Sequence, residues 1–443
     1  METNPAQGQS AAGSSRYDAW RSVLPVDPRQ RWDEDTLNKL CETAPAAEVL
    51  YELVTFINSQ FFAARQKPWF REMGLEGWGS DCAAKLQPRV EAARKQLGWR
   101  QRYVDLQVLR ELRRETKLCL TIGAGVTIDA GGPSWPQLVR LLINIALRQE
   151  HEIARILPDP DGELGDKRYI KEVVPVPPLE ARERGELKEI LGHIEEKGAD
   201  SDTKRLMRAA EICYKLFGQQ LLKHLTTILY AHSPRPGPIH RAIAEVARNP
   251  RRSLKWGVWP AWGSIINYNF DGLLFDAFNE AGVPQLIGLT KADQQLVWYK
   301  FPEIECEWWQ PVLHLHGFTP SWRMDITLNK FVLSESQYAE TYRTPVTKMI
   351  KTLREQILAR PPIVCLYVGC SFSDEAMNEL LTEAWDDLGH IHYALLQWPE
   401  DRKGREPTWE EIETNSSRYK VMGIQPIWFD DFREIPDIIR NLQ

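Results

Sequence analysis

The spacing of apolar positions along the chain changes character near residue 117. Before it the period is helical: Leu37, Leu40, Leu50, Leu53 and Phe56 recur at helix spacing within 36–57, and 90–114 continues the pattern amid many Arg and Glu residues. Residues 16–115 therefore predict an N-terminal helical extension used for packing or assembly, behind a disordered leader at 1–15. Nothing in it points to catalytic chemistry, and Arg110, Arg113 and Arg114 read as a solvated helix face rather than a nucleic-acid patch. From Leu118 to Ile122 the run is short and apolar, ended by Gly123-Ala124-Gly125. A GGPSWP turn and an apolar-periodic helix at 137–148 follow. Strand, glycine turn and helix open a doubly wound α/β domain.

Residues 149–235 break that alternation with a polar loop (PDPDGELGDK), a proline-rich stretch (VVPVPP) and charged helices from 179 to 229. They read as a helical insertion in a domain spanning 116–443, because strand signals resume beyond them. Short apolar strands are predicted at 264–267, 312–316, 363–368, 392–397 and 425–429, with helices at about 271–281 and 374–387. The fold class is α/β: a Rossmann-like doubly wound parallel sheet with a helical insertion and an N-terminal helical extension. In such sheets ligands bind at the carboxyl ends of the strands, so the polar clusters found there should converge on one crevice.

Composition narrows the function classes. Hydrophobic residues are 43% and charged residues 26% of 443, an ordinary globular balance, and a net charge of −6 supplies no basic field for nucleic acid or an anionic membrane. The longest apolar stretch, 138–147, is interrupted by Arg140 and Asn144 and is too short to span a bilayer. The first fifteen residues lack the charged start and apolar core of a secretory signal. Seven scattered cysteines without a C-x-x-C pair argue for a reducing compartment, hence the cytoplasm, and against a zinc ribbon; no metal is expected.

Four strand-end clusters could carry chemistry. Gly123-Ala124-Gly125-Val126-Thr127 can place backbone N–H groups against a diphosphate, where a Cβ would block close approach, or it can be a tight strand-to-helix turn. Ile128 occupies the third glycine position of G-x-G-x-x-G, so the ordinary dehydrogenase fingerprint is missing. Asn269 and Asp271 lie two apart and point the same way if the chain stays extended. Together an amide and a carboxylate can hold ribose hydroxyls, position a water and stabilise a cationic sugar; alternatively Asp271 caps the following helix. His314 and His316 share a strand face. His316, before Gly317, suits a general base, while His314 reads as a core histidine. Gly369-Cys370-Ser371-Phe372-Ser373-Asp374 suits contacts to ribose or phosphate, or helix capping by Ser373 or Asp374. Trp256, Trp259 and Trp262, like Trp308-Trp309, read as core or subunit contacts rather than a nucleobase platform.

In chain order, Gly-Ala-Gly with Gly-Gly-Pro-Ser-Trp-Pro-Gln-Leu, then Asn-Phe-Asp-Gly-Leu-Leu, His-Leu-His-Gly and Val-Gly-Cys-Ser-Phe-Ser-Asp resemble the Sir2-like family. The closer resemblance is to its bacterial branch of NAD-depleting effectors in anti-phage defence, and it covers about 116–431. It implies that Asn269 and His316 are required to cleave nicotinamide from NAD and that Asp271 supports the ribose. It also implies that Ala124, Gly125 and Ser371 line the cofactor pocket, with Gly123, Thr127 and Gly369 completing the candidate binding set. Two departures speak against protein deacylation: Pro-Ser-Trp-Pro stands where Pro-Asp-Phe-Arg is expected, and the zinc-binding cysteine pairs are missing. Thr127 replaces the usual serine and keeps the hydroxyl.

The resemblance thus implies NAD glycohydrolysis to nicotinamide and ADP-ribose, with NAD as substrate. The alternatives are an NAD-dependent deacylase and a non-catalytic NAD- or ADP-ribose-binding subunit of a defence complex. Expected partners are further copies of the chain, whose assembly surfaces the seventeen tryptophans would suit, and a HerA-type ATPase or an Argonaute-like protein. Neither a membrane nor direct nucleic-acid binding is expected.

Overall fold

The computed structural model describes residues 92–443 apart from 115–117, 149, 159–166, 199–201, 232–233, 254–256, 291–295, 303–304, 320–330, 339–363, 373–376, 380, 383–390 and 400–406. Before residue 92 it describes only Tyr17, Trp20, Val49 and 51–53. The leader at 1–15, most of the helix expected at 36–57, Trp256, Ser373 and Asp374 lie outside the described residues.

In chain order the strands are β1 (Leu118–Ile122), β2 (Glu150–Pro158), β3 (Lys167–Pro175), β4 (Arg251–Ser253), β5 (Gly257–Trp259) and β6 (Ile265–Asn267). They continue with β7 (Gln285–Thr290), β8 (Leu296–Phe301), β9 (Gln310–His314), β10 (Val364–Val368), β11 (His392–Gln397) and β12 (Ile424–Phe429). One sheet runs β12-β11-β10-β1-β6-β9-β7-β8, with every neighbouring pair parallel except β7 with β8. From β9 to β12 this is the Rossmann order 3-2-1-4-5-6, whose direction reverses between β1 and β10.

The helices are α1 (Gln101–Arg114), α2 (Ala124–Asp129), α3 (Trp135–Leu147), α4 (Ala181–Lys197), α5 (Thr203–Phe217) and α6 (Leu221–Tyr230). After them come α7 (Pro238–Ala247), α8 (Leu273–Ala281), α9 (Glu335–Tyr338), α10 (Trp409–Lys420) and α11 (Ile435–Arg440). Their ends follow local rules. Ser134 and Gln137 form a capping box at the start of α3, Thr408 and Glu411 do the same for α10, and α8 stops at Gly282 in the left-handed conformation.

A strand buried on both faces is apolar almost throughout: β10 is so at every position, and β12 at all but Gln425, whose side chain is hydrogen-bonded. Leu118, Leu120 and Ile122 point to a core shared with α1, α7, α8 and α11, through residues such as Val108, Leu109, Ile243, Phe278 and Ile439. Cys119 points to the opposite core, closed by Tyr419 and Ile412 of α10 and by Leu381. Helices α3 to α6 have a core of their own, built around Leu142, Leu187, Leu206, Cys213 and Leu225.

Two expectations need correction. The stretch read as a polar loop and proline-rich segment after residue 149 contains an antiparallel hairpin, β2 with β3, before the expected helices begin. Isoleucines and valines interleaved with charges carried that signal, and the flanking prolines masked it. The arginines of α1 are a solvated face only in part: Arg114 is exposed and pairs with Glu111, whereas Arg113 is buried and donates to the Leu442 carbonyl at 3.0 Å and Arg110 donates to the Asn441 carbonyl. Arg110 and Arg113 hold the carbonyls that end α11, where cations are favoured. Among the tryptophans, Trp262 is fully buried, whereas Trp259 stays exposed on β5. Among the described residues no helix is long and apolar enough to cross a membrane.

Candidate active site

The register places the four strand ends side by side. Ile122 pairs with Val368 on one flank and Asn267 on the other, and Asn267 pairs with His314. The loops that follow therefore leave the sheet along one edge, at its switch point.

Gly123, Gly125 and Gly369 are needed first for one another. The Gly125 N–H donates to the Gly369 carbonyl at 2.9 Å, and a Cβ on Gly125 would lie 2.7 Å from the Gly369 Cα. A Cβ on Gly123 would meet the Gly369 carbonyl oxygen at 2.7 Å, and Gly369 itself has φ +67°. The sequence left these glycines to a diphosphate or to a tight turn; in the structure two loops touch there backbone to backbone. Ala124 and Ser371 remain exposed, while Thr127 is buried.

Asn267, Asn269 and Asp271 fix the next loop. The Asn267 side-chain oxygen accepts the Asn269 N–H at 2.9 Å, an Asx turn that ends β6 sharply. Buried Asn269 donates from Nδ2 to the Gly123 carbonyl at 2.9 Å. Asp271, also buried, accepts the Thr127 hydroxyl on Oδ2 and the Leu273 N–H on Oδ1 at 3.0 Å. The second contact is the helix-capping role that its position suggested. Both candidate residues of this loop are thus tied to the glycine turn.

His316 is held differently. Its ring meets Tyr268 edge-on with centroids 5.0 Å apart and lies 6.2 Å from Phe270, so it rests on the residues either side of Asn269. Its carbonyl accepts the Val332 N–H at 3.0 Å, and it is half-buried. His314 packs on Phe318 in the interior, where burial pushes its imidazole down to about 3; it is the core histidine the pattern suggested.

Other residues around Asp271 carried no sequence signal. Tyr230, at the end of α6, donates its hydroxyl to the Thr319 carbonyl at 2.7 Å and accepts the Gly272 N–H at 2.6 Å. Burial, then the Asp271 charge, raise its phenol well above the ordinary range. Thr226, one turn earlier, shares a hydroxyl contact of 2.7 Å with Thr319. His240 accepts the Gly237 N–H that begins α7, and burial holds it at about 4, neutral behind Asp271. Only the chain fold brings a tyrosine from one helix to a turn 42 residues later.

Residues 263–419 match the model of the SIR2-like domain, a span that includes Asn269, Asp271, His316, Gly369 and Ser371 but not the turn at 123–127. The match supports the Sir2-like family and, with it, NAD-related activity. No curated protein matches the chain. Among the described residues no group of three or more His, Cys, Asp or Glu could hold a metal ion.

Proposed function

We propose that the chain is an NAD glycohydrolase that releases nicotinamide and leaves ADP-ribose. The observation carrying this reading is the Asn269 Nδ2 bond to the Gly123 carbonyl, which ties a strand-end amide to the glycine turn at the switch point. The SIR2-like match over the other three strand ends supports it.

In this reading the diphosphate lies over 123–127 and the nicotinamide-side ribose lies between Asn269, Asp271 and His316. The glycosidic bond breaks with its electron pair leaving on nicotinamide. Fixed amide and carboxylate dipoles stabilise the positive charge left on the sugar, because they need no reorientation as it forms. Water adds to the sugar carbon and gives its proton to His316, directly or through a ribose hydroxyl. Exposed Ser371 and Ala124 border the cofactor.

In the cell such an enzyme would act as a NAD-depleting effector in anti-phage defence, restrained until a partner or a change of assembly releases it. The test is nicotinamide release from NAD by the purified chain, alone and with cell extract, beside His316→Ala. Release that vanishes in the variant supports the reading. NAD binding without release, with or without extract, overturns it in favour of a non-catalytic binder, a role compatible with the complete internal bonding of Asp271.

A further inference from the structure

The helices α4 to α6 pack mainly on α3 and on one another, yet two groups of polar side chains leave that bundle for the strand-end loops. The first is on α6. The Tyr230 hydroxyl sits between the Gly272 N–H and the Thr319 carbonyl, and Thr226 holds the Thr319 hydroxyl. This joins the turn after Asp271 to the segment after His316, where Asp271 and Thr319 also form an isolated bridge.

The second is on α5. Glu211 is buried and accepts the Ser336 N–H at 3.2 Å and the Ser336 hydroxyl at 2.6 Å, with Lys215 alongside. The segment it grips, 331–338, returns to the site. Val332 donates to the His316 carbonyl, Phe331 lies over Phe270 with centroids 6.1 Å apart, and Leu333 is buried in the bundle. One bundle therefore grips both sides of the candidate site, Asp271 through Tyr230 and His316 through Glu211.

We propose that Tyr230 and Glu211 are positioning residues, through which the helical bundle sets the reactive geometry of the Asn269–Asp271 turn and of His316. The inference rests on the hydrolase reading. Neither side chain need touch NAD: Tyr230 holds the Gly272 N–H beside Asp271, and Glu211 holds Ser336 in the segment whose Val332 N–H bonds the His316 carbonyl. A misplacement of about 1 Å at a reacting centre lowers rate by roughly 10²-fold, so small displacements are enough to be measured. A force that shifts the bundle would then reach both halves of the site together, which gives a partner or a second copy of the chain a means of regulating it.

The test uses Tyr230→Phe, Glu211→Gln and, as a control inside the bundle, Glu186→Gln. The control breaks the Glu186–Arg208 pair, which joins α4 to α5 inside the bundle. Two quantities are read on the full chain: kcat and KM for nicotinamide release, and hydrogen exchange of the Gly272 and Val332 amides. The expected result is a fall in kcat of about tenfold or more with KM within about threefold for Tyr230→Phe and Glu211→Gln, and unchanged kinetics for Glu186→Gln. Exchange should rise at Gly272 in the first variant and at Val332 in the second, with cooperative unfolding retained. Wild-type kcat in both variants, or an equal loss in the control, overturns the proposal. An unmodified chain that releases no nicotinamide, either alone or with cell extract, overturns the hydrolase reading instead, and local exchange then decides whether these side chains hold the two segments.

Discussion

The two halves of the candidate site are built from different forces. On the β1–β6 side Asn269, Asp271 and Thr127 are buried and bonded to one another's loops, so directional hydrogen bonds fix each atom. On the β9 side His316 is half-buried and rests on the rings of Tyr268 and Phe270. Ring contacts orient a side chain and tolerate small rotations that a hydrogen bond resists. The contrast separates a rigid frame from a residue suited to proton transfer.

That division can be broken most directly at His316. His316→Ala should lower nicotinamide release by ~10²–10⁴-fold with a smaller effect on stability than on turnover, because the ring is half-buried rather than in the core. Near-normal turnover in the folded variant would remove it from the chemistry. Asp271→Asn asks whether the frame also contributes charge. An amide keeps an acceptor for the Leu273 N–H, and the Thr127 hydroxyl can reverse its role, so stability should change little. Turnover should fall on the order of 10²-fold if the carboxylate stabilises the cationic sugar. A large drop in melting temperature with matching loss of activity would make Asp271 a frame residue only.

Gly125→Ala presses on the frame itself. Its Cβ would sit 2.7 Å from the Gly369 Cα, so the two loops must part. A loss of ~1–3 kcal/mol in urea unfolding is expected, with weaker NAD binding. The smallest effect lies far from both halves. Asp105 is buried against Tyr51 and Gln101, and burial raises its carboxyl from 3.8 to about 7. The folded chain then holds a proton that the unfolded chain has lost, so the stability this proton confers is full below about pH 3.8 and disappears as pH rises through about 7. Asp105→Asn should flatten thermal stability across that window, and any pH dependence of turnover that survives it belongs to the site.

Much of this architecture was legible in the residues. A five-residue, mostly apolar run at 118–122 ending in glycine, and similar runs at 264–267, 363–368, 392–397 and 425–429, place β1, β6, β10, β11 and β12 to within a residue or two. Buried parallel strands must be apolar, and glycine must follow where loops touch, so these signals are strong. The strand at 312–316 begins two residues earlier, and its last two positions, Leu315 and His316, fall outside the ladder. The pair β7 and β8 was not foreseen, nor the hairpin of β2 and β3: charges and prolines interrupt the hairpin, whereas Leu296–Phe301 is a mostly apolar run that the strand pattern could have found. Within the site, Asn269, Asp271 and His316 stood out by position. Tyr230 and Glu211 did not, since a tyrosine or glutamate on a helix face reads as surface until its distant partner is known.

The contact of Gly125 with Gly369 also governs when the crevice can exist. Its two strands, Leu118–Ile122 and Val364–Val368, are far apart in the chain, and four of the sheet's six other strands are made between them. Such non-local pairing comes late in folding, and during synthesis it cannot occur before the second strand has emerged from the ribosome. A nascent or truncated chain that ends before residue 364 has the glycine turn, Asn269, Asp271 and His316, but not the wall against which they are set. The switch point therefore forms only once the strand at 364–368 is in place beside Leu118–Ile122.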